Sequence, residues 1–239
     1  VTPQLALNYC SEGGYGPVGN GWSLGGMSVI SRCRATREAG DFIVGGVVTD
    51  GSPTPVNYSA SDRYCLDGQR LVPSADTFSC PAVAGMTVEN LRTEIQSFQR
   101  ACAYMPSGGA SGVAFFTVER KDGSISWYGD RDNSTTANRA DGYINATTPG
   151  KEAFALSWAQ TRFQDSTGNY IDYTYYENPN SIVGEHLPAT VKYTGRTQLP
   201  GQATPAQIPF AQITFVYALR ATEQRSLGYI NGGAVRQAH

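Results

Sequence analysis

A chain of 239 residues can bury a substantial core, yet only 16% of it is charged and its formal net charge is −2. That balance gives no general attraction to nucleic acid or anionic lipid, so neither is an expected partner. Plentiful Gly (27), Tyr (14) and Pro (13) suit short strands joined by tight turns better than helices.

Residues 5–9 alternate as a half-buried strand should, and residues 11–21 carry so much glycine that the chain must turn there. Strand character resumes at residues 22–24 and again at 27–32. Asp67-Gly68 separates the apolar runs 63–66 and 69–72 and predicts a hairpin with a type I′ turn, in which both central residues need positive φ. Residues 87–100 are where a helix competes, with Val88, Leu91, Ile95 and Phe98 spaced by three and four; part of this window reads equally well as strand. Asp122-Gly123 repeats the hairpin device between 115–119 and 124–128, and Gly168-Asn169 does so between 154–163 and 170–175. Residues 130–150 are polar and read as a long surface loop. Strands are expected at 189–193 and 211–217, with a proline-bearing loop or edge excursion at 196–209 between them. Residues 229–233 read as a turn with no full strand behind it.

The expected fold is therefore all-β: antiparallel hairpins forming an extended, curved sheet, with at most one short helix. No linker or composition shift divides the chain, so residues 1–239 are expected to form one domain. The longest apolar runs, 215–219 and 113–116, are too short to span a bilayer. No signal peptide opens the sequence, and its abrupt start just before a strand reads as a fragment of a larger protein.

Five cysteines is an odd number, so at least one thiol is unpaired within the chain. Cys10, Cys33, Cys65, Cys80 and Cys102 show no CxxC spacing, which argues against zinc. If a bridge forms, Cys80–Cys102 is the expected one, because residues 81–85 can fold that segment back. Cys10–Cys33 is disfavoured: a hairpin turning at 13–19 sets Cys10 opposite residues 21–23. The competing reading makes most of these cysteines buried small hydrophobes.

Chemistry is hard to find. Of the two histidines, His239 is the last residue and His186 precedes Leu187-Pro188 in an expected turn, with no nucleophile elbow to serve. Gly13-Gly14-Tyr15-Gly16 and Gly45-Gly46 lack the grammar of a phosphate-binding loop and read as turns. Asp122, Asp130 and Asp132 crowd one region, and Asp165 and Asp172 another, without the spacing of a calcium loop. No carboxylate pair stands out for glycoside hydrolysis. Trp22, Trp127, Trp158 and the tyrosines could build a sugar-stacking face, although alternating aromatics in a β protein usually form core and cross-strand pairs. Asn-x-Ser/Thr triplets occur at Asn57, Asn133 and Asn145; in a bacterial protein they would be incidental. No catalytic, cofactor-binding or metal-ligating residue is assigned, and no cofactor is expected.

Several blocks together carry a resemblance. Pro3-Gln4-Leu5-Ala6-Leu7-Asn8-Tyr9, a glycine-rich turn, Gly21-Trp22-Ser23-Leu24 and Ile30-Ser31-Arg32 resemble the opening of the SpvB/TcaC N-terminal domain. Asp62-Arg63-Tyr64-Cys65-Leu66-Asp67-Gly68 resembles a further family segment, followed by Asp122-Gly123, then Gly168-Asn169 and Tyr193-Thr194-Gly195. The blocks keep the family's order over nearly the whole chain; residues 80–109, with two extra cysteines, depart from its pattern.

The resemblance implies a bacterial, secreted or cell-surface module of the kind found in insecticidal toxin complexes and RHS/YD-repeat proteins, where this region helps form a β shell around a toxic C-terminal segment. It implies a structural role for Gly21, Trp22, Asp62, Arg63, Leu66, Asp67, Gly68, Asp122, Gly123, Gly168 and Asn169. The implied partners are the remainder of an RHS-type chain and other toxin-complex subunits. The alternative is a carbohydrate- or receptor-binding surface module, and a hydrolase with a hidden acid–base pair is a third reading.

Overall fold

The computed structural model describes residues 1–35, 43–44, 47–48, 55–59, 62–74, 78–107, 112–129, 142–179, 182–201, 203–230 and 232–239. The chain opens with β1 (Ala6–Tyr9), a two-residue ribbon β2 (Tyr15–Gly16) and β3 (Gly19–Asn20), then β4 (Trp22–Gly25), β5 (Val29–Cys33) and the short pair β6 (Ile43–Val44) and β7 (Val47–Val48). Next come β8 (Arg63–Leu66), β9 (Gln69–Pro73), β10 (Met86–Thr93), β11 (Arg100–Pro106), β12 (Phe115–Glu119), β13 (Ile125–Gly129) and β14 (Tyr143–Asn145). Three long strands follow, β15 (Ala155–Gln164), β16 (Asn169–Glu177) and β17 (His186–Arg196); then β18 (Ala211–Thr214), a single 3-10 turn, β19 (Ser226–Ile230) and β20 (Gly233–Gln237). Among the described residues, every strand pairing is antiparallel.

The curved sheet goes as far as closure. Strands run in the order β13-β12-β11-β10-β9-β8-β5-β15, and β13 pairs β15 in turn, which completes a ring of eight. Length makes this possible. β15 spans ten residues, so one edge bonds β5 at Ser157–Ala159 and then β16 from Arg162, while the other bonds β14 and then β13. β16, β17 and β18 continue the sheet outside the ring.

Period-two patterning fills the barrel with side chains rather than leaving a lumen. Ile30, Leu66, Leu71, Leu91, Phe116 and Trp158 form its core with Ala101 and Ala103, small residues that leave room for the rings opposite. Trp158 has no exposed surface; it meets Phe116 edge-on at 5.0 Å and Tyr64 at 5.5 Å, and its Nε1 donates to Val113 O at 3.1 Å. A second cluster, Ala159, Ile171, Tyr173, Tyr175 and Val191, packs the outer face of β15 against β16 and β17.

Several sequence readings need correction. Of the two readings open for residues 87–100, the strand holds, as β10 over Met86–Thr93. Residues 130–150 are not wholly loop: Tyr143–Asn145 adds β14 to the edge of β15. Residues 229–233 are followed by a full return strand, β20. β1 is exposed throughout rather than half-buried, because β1 and β4 form a separate two-stranded ribbon beside the barrel. Asn133, Asp130, Asp132 and Gly45-Gly46 lie outside the described residues. Among the described residues, no helix is long and apolar enough to cross a membrane.

Cys80–Cys102 forms as expected, with Cα atoms 5.8 Å apart, and Cys10 is free and exposed opposite Gly21. A second bridge, Cys33–Cys65, joins β5 to β8 with Cα atoms 5.9 Å apart. Spacing alone hid it, because the two cysteines lie 32 residues apart and meet only when β5 pairs β8, Ser31 opposite Cys65.

Candidate functional site: a locked barrel with open strand edges

Asp62 and Arg63 sit where the chain re-enters the barrel at β8. Arg32 Nη1 donates to Asp62 Oδ2 at 3.0 Å, and Arg32 Nε donates to Ala155 O at 2.6 Å. Both side chains are 2% exposed. The guanidinium lies 5.4 Å from the Tyr58 ring, 5.6 Å from Trp158 and 5.9 Å from Tyr64, so its remaining surface faces aromatic π-density. Asp62 in turn accepts from the backbone N–H groups of Asn57 (3.0 Å) and Tyr58 (2.8 Å). Tyr58 adopts φ 62°, an uncommon conformation for a bulky residue, held by that bond and by its ring packing on Arg32. Arg63 Nη1 donates to Asp62 O, and Leu66 is buried beside Ile30, its register partner. Sequence reasoning named Asp62 and missed Arg32 as its partner, although both lay in the resembling blocks.

Asp67 and Gly68 form the β8–β9 turn, with φ 48° and 83°, so both centres are left-handed as a type I′ turn requires. Asp67 also acts at a distance. Its Oδ1 accepts from Val29 N (2.9 Å) and its Oδ2 from Ser28 Oγ (2.6 Å). Ser28's proton is thereby committed, so the hydroxyl of buried Tyr128 donates to Ser28 Oγ at 2.9 Å. This chain of bonds clips the turn to the start of β5 and to β13; burial also raises the Tyr128 pKa.

Asp122-Gly123 and Gly168-Asn169 use a different device from the expected type I′ turn. Only the glycines are left-handed, φ 78° and 91°, and each closes a longer loop ending in a bulge. Arg120 N bonds Ser124 O while Gly123 N bonds Arg120 O; Asp165 N bonds Asn169 O while Gly168 N bonds Asp165 O. Asp122 accepts from Ser124 N at 2.9 Å. Burial pushes Asp165 up, but hydrogen bonds from Asn169 and Thr167 outweigh it and hold that carboxyl below its usual range. Gly21, φ 75°, lies where a Cβ would meet Cys10 O at 2.7 Å, and Trp22 packs on Tyr9 with ring centres 5.1 Å apart.

His186 and Glu185 line a cavity of about 250 Å³ between β17 and β20. Glu185 is buried; it accepts from the N–H groups of Ala238 and His239 and pairs with His239 Nδ1 at 2.7 Å, which fastens the end of the chain to the β16–β17 connection. His186 stacks on Tyr175 at 4.7 Å, its Nε2 is buried without a partner, and burial lowers its pKa to about 4. It is neutral at pH 7, with no described hydroxyl or thiol bonded to it as a nucleophile would be.

Against this sealed interior, strand edges stay open, two of them beside large exposed apolar side chains. β18 ends the large sheet and β19 ends the C-terminal ribbon, and neither outer edge is paired among the described residues. Large apolar side chains flank them: Val216 is 90% exposed, Ile208 81%, Phe210 74% and Tyr229 71%. Unpaired backbone beside apolar surface is the chemistry of strand addition.

Solved structures share this architecture. The chain is similar, at 18% identity and TM-score 0.70, to a structure described as TcdB2-TccC3, with 100% of this chain covering 12% of that one. It is similar at 19% identity and TM-score 0.64 to the N-terminal domain of effector protein SpvB from Salmonella typhimurium strain LT2, covering 99% of this chain and 79% of that one. The Photorhabdus luminescens Tc holotoxin pore gives 18% identity and TM-score 0.65, covering 99% of this chain and 12% of that one. The chain thus spans about an eighth of the toxin-complex chains it resembles. No curated protein matches it. The family described as SpvB, Salmonella virulence plasmid 65kDa B protein, matches residues 1–215, and the chain belongs to that family.

Proposed function

We propose that this chain is a non-catalytic wall module of a secreted bacterial toxin-type protein, contributing to a β shell around a toxic C-terminal segment. The observation that carries this reading is the contrast between a barrel filled by side chains and the unpaired, apolar edges at β18 and β19. A wall needs stiff units that continue into neighbouring strands. The barrel supplies stiffness, locked by Arg32–Asp62 and two disulfides, and the open edges supply continuation. The similarity to toxin-complex chains, of which this length is 12%, supports the same role. The partners of the edges are then the remainder of its own RHS-type chain and other toxin-complex subunits, outside the producing cell. The whole of residues 1–239 acts as one module in this reading.

The test uses the full natural gene product. Ile208→Asp, Phe210→Asp and Val216→Asp alter side chains that are exposed in the isolated chain, so the isolated chain should keep its stability to within about 0.5 kcal/mol. In the complete protein the same changes should open the wall, and limited proteolysis should then cut a C-terminal segment that the parent protects. A C-terminal segment equally protected in parent and variants, or equally sensitive in both, contradicts the proposal.

A further inference from the structure

A groove outside the barrel has no part in the shell argument. It consists of two adjoining cavities of about 340 and 320 Å³, which share Phe78, Arg100 and Glu119 as a common wall. The first lies among the loops at the barrel end, with Phe98, Gln99, Arg120 and Lys121 around it. The second runs over the outer face of β11, β12 and β13, floored by Tyr104, Phe115 and Trp127. Cys80–Cys102 ties the segment carrying Phe78 down against β11, so one wall is covalently fixed. One wall of this groove comes from residues 80–109, where the sequence departs from the family pattern, and the other from residues 115–127.

The chemistry of the lining is specific. Phe98 is 62% exposed and holds φ 57°, an unfavourable conformation that presents its ring to the groove mouth. Lys121 Nζ sits 5.1 Å from that ring, and Arg100 Cζ lies 5.5 Å from the Phe78 ring, so both cations are braced on aromatic faces. Arg120 is tied inward to Ser126 and adds only its charge, so the lining carries three cations against one carboxylate, Glu119, on a chain whose net charge is −2. Gln99 Oε1 is buried with no partner, an acceptor suited to a hydroxyl donor.

We propose that this groove binds an acidic oligosaccharide, its anionic group held at the Lys121–Arg100 end and its sugar rings laid on Phe98, Phe78 and Trp127. Aromatic faces take the apolar faces of sugar rings, and Gln99 with the neighbouring Gln96 meets their hydroxyls. An extended acidic peptide fits less well. β11, β12 and β13 are paired on both edges, so a peptide laid across them finds no backbone partners for its own N–H and C=O groups.

Calorimetric titration of the chain with tetragalacturonate, a heparin tetrasaccharide, neutral cellotetraose and a tetraglutamate peptide tests this. Binding of either acidic sugar is expected, the two arms telling uronate from sulfate, with cellotetraose and tetraglutamate at least about tenfold weaker. Lys121→Ala, Phe98→Ala and Trp127→Ala should each weaken the acidic sugar about tenfold while the circular dichroism spectrum is unchanged. No measurable binding of either acidic sugar to folded protein, equal binding of tetraglutamate or cellotetraose, or variants that bind like the parent would overturn the proposal. None of these outcomes depends on a shell, so the groove and the wall reading stand or fall separately.

Discussion

Arg32 on β5 and Asp62 at the start of β8 form an ion pair 3.0 Å long whose side chains are 2% exposed, joining two stretches thirty residues apart in sequence. The pair closes where the excursion carrying β6 and β7 leaves and rejoins the barrel. Asp62 adds backbone bonds from Asn57 and Tyr58, so the lock fixes the returning chain as well as the strand. Removing one member leaves the other as a buried charge, at a cost of about 3–5 kcal/mol. Arg32→Met and Asp62→Asn should each lose that much in guanidinium unfolding, and Arg32→Met with Asp62→Leu should lose less than the sum. Arg32→Lys should fail to restore stability, since an ammonium cannot reach Asp62 and Ala155 O together while stacking on three rings. Single variants within about 1 kcal/mol of the parent would reduce this lock to the level of a surface pair.

Two glycines separate conformational cost from steric cost. Gly68 and Gly129 have nearly the same φ, 83° and 84°, but a Cβ on Gly68 meets nothing within 4 Å, whereas on Gly129 it meets Trp158 at 2.6 Å and Ala114 O at 2.8 Å. Gly68→Ala should therefore lose only the left-handed penalty, about 1–2 kcal/mol. Gly129→Ala adds overpacking against a buried indole and should lose roughly 2–5 kcal/mol. Equal losses in thermal unfolding would mean that the core yields around Trp158.

The contrast between these positions also explains what was legible in sequence. The Asp67-Gly68 turn could be read because its determinants are local, two residues between two apolar runs. Arg32–Asp62, Cys33–Cys65 and the β13–β15 pairing that closes the barrel are long-range, and nothing in the local pattern fixes which strands become neighbours. β14 escaped notice because Tyr143–Asn145 owes its strand to the edge of β15 rather than to its own residues. The groove was invisible for the same reason: Phe78, Phe98 and Trp127 come from separate hairpins and meet only when the barrel curves.

Thiol accounting tests the disulfides directly. The oxidised native chain should react with one equivalent of a maleimide, at exposed Cys10, and the reduced, denatured chain with five. Opening either bridge by paired Cys→Ser substitution should lower stability by about 2–4 kcal/mol. Three reactive thiols in the native, unreduced chain would show that one bridge does not form.

His186 gives the chain an acid-sensitive contact. Its folded pKa, lowered by burial to about 4 from the ordinary 6.5, means the unfolded chain takes up a proton first as pH falls. Stability from this group is complete above about pH 6.5 and drains away toward pH 4, by up to about 3 kcal/mol. Glu177, its partner across the β16–β17 ladder, opposes it: burial raises that carboxyl, so its contribution improves as the pH falls. Nearby Glu185 is committed to His239 and two backbone N–H groups. His186→Phe keeps the stack on Tyr175 without a titrating nitrogen, and should flatten the decline in melting temperature between pH 6.5 and 4. An unchanged slope would assign the acid sensitivity elsewhere.

The open edges make a prediction for the isolated chain. An unpaired strand flanked by exposed apolar side chains is a template for another copy, and nothing among the described residues covers β18 or β19. Sedimentation at rising concentration should therefore reveal reversible association. Ile208→Lys with Val216→Lys should weaken it, because charge on the flanks of β18 makes edge-to-edge approach repulsive in either strand direction. A chain that sediments as a strict monomer at high concentration would mean that β18 and β19 are protected without a partner, and the edges would no longer support a wall that continues through them.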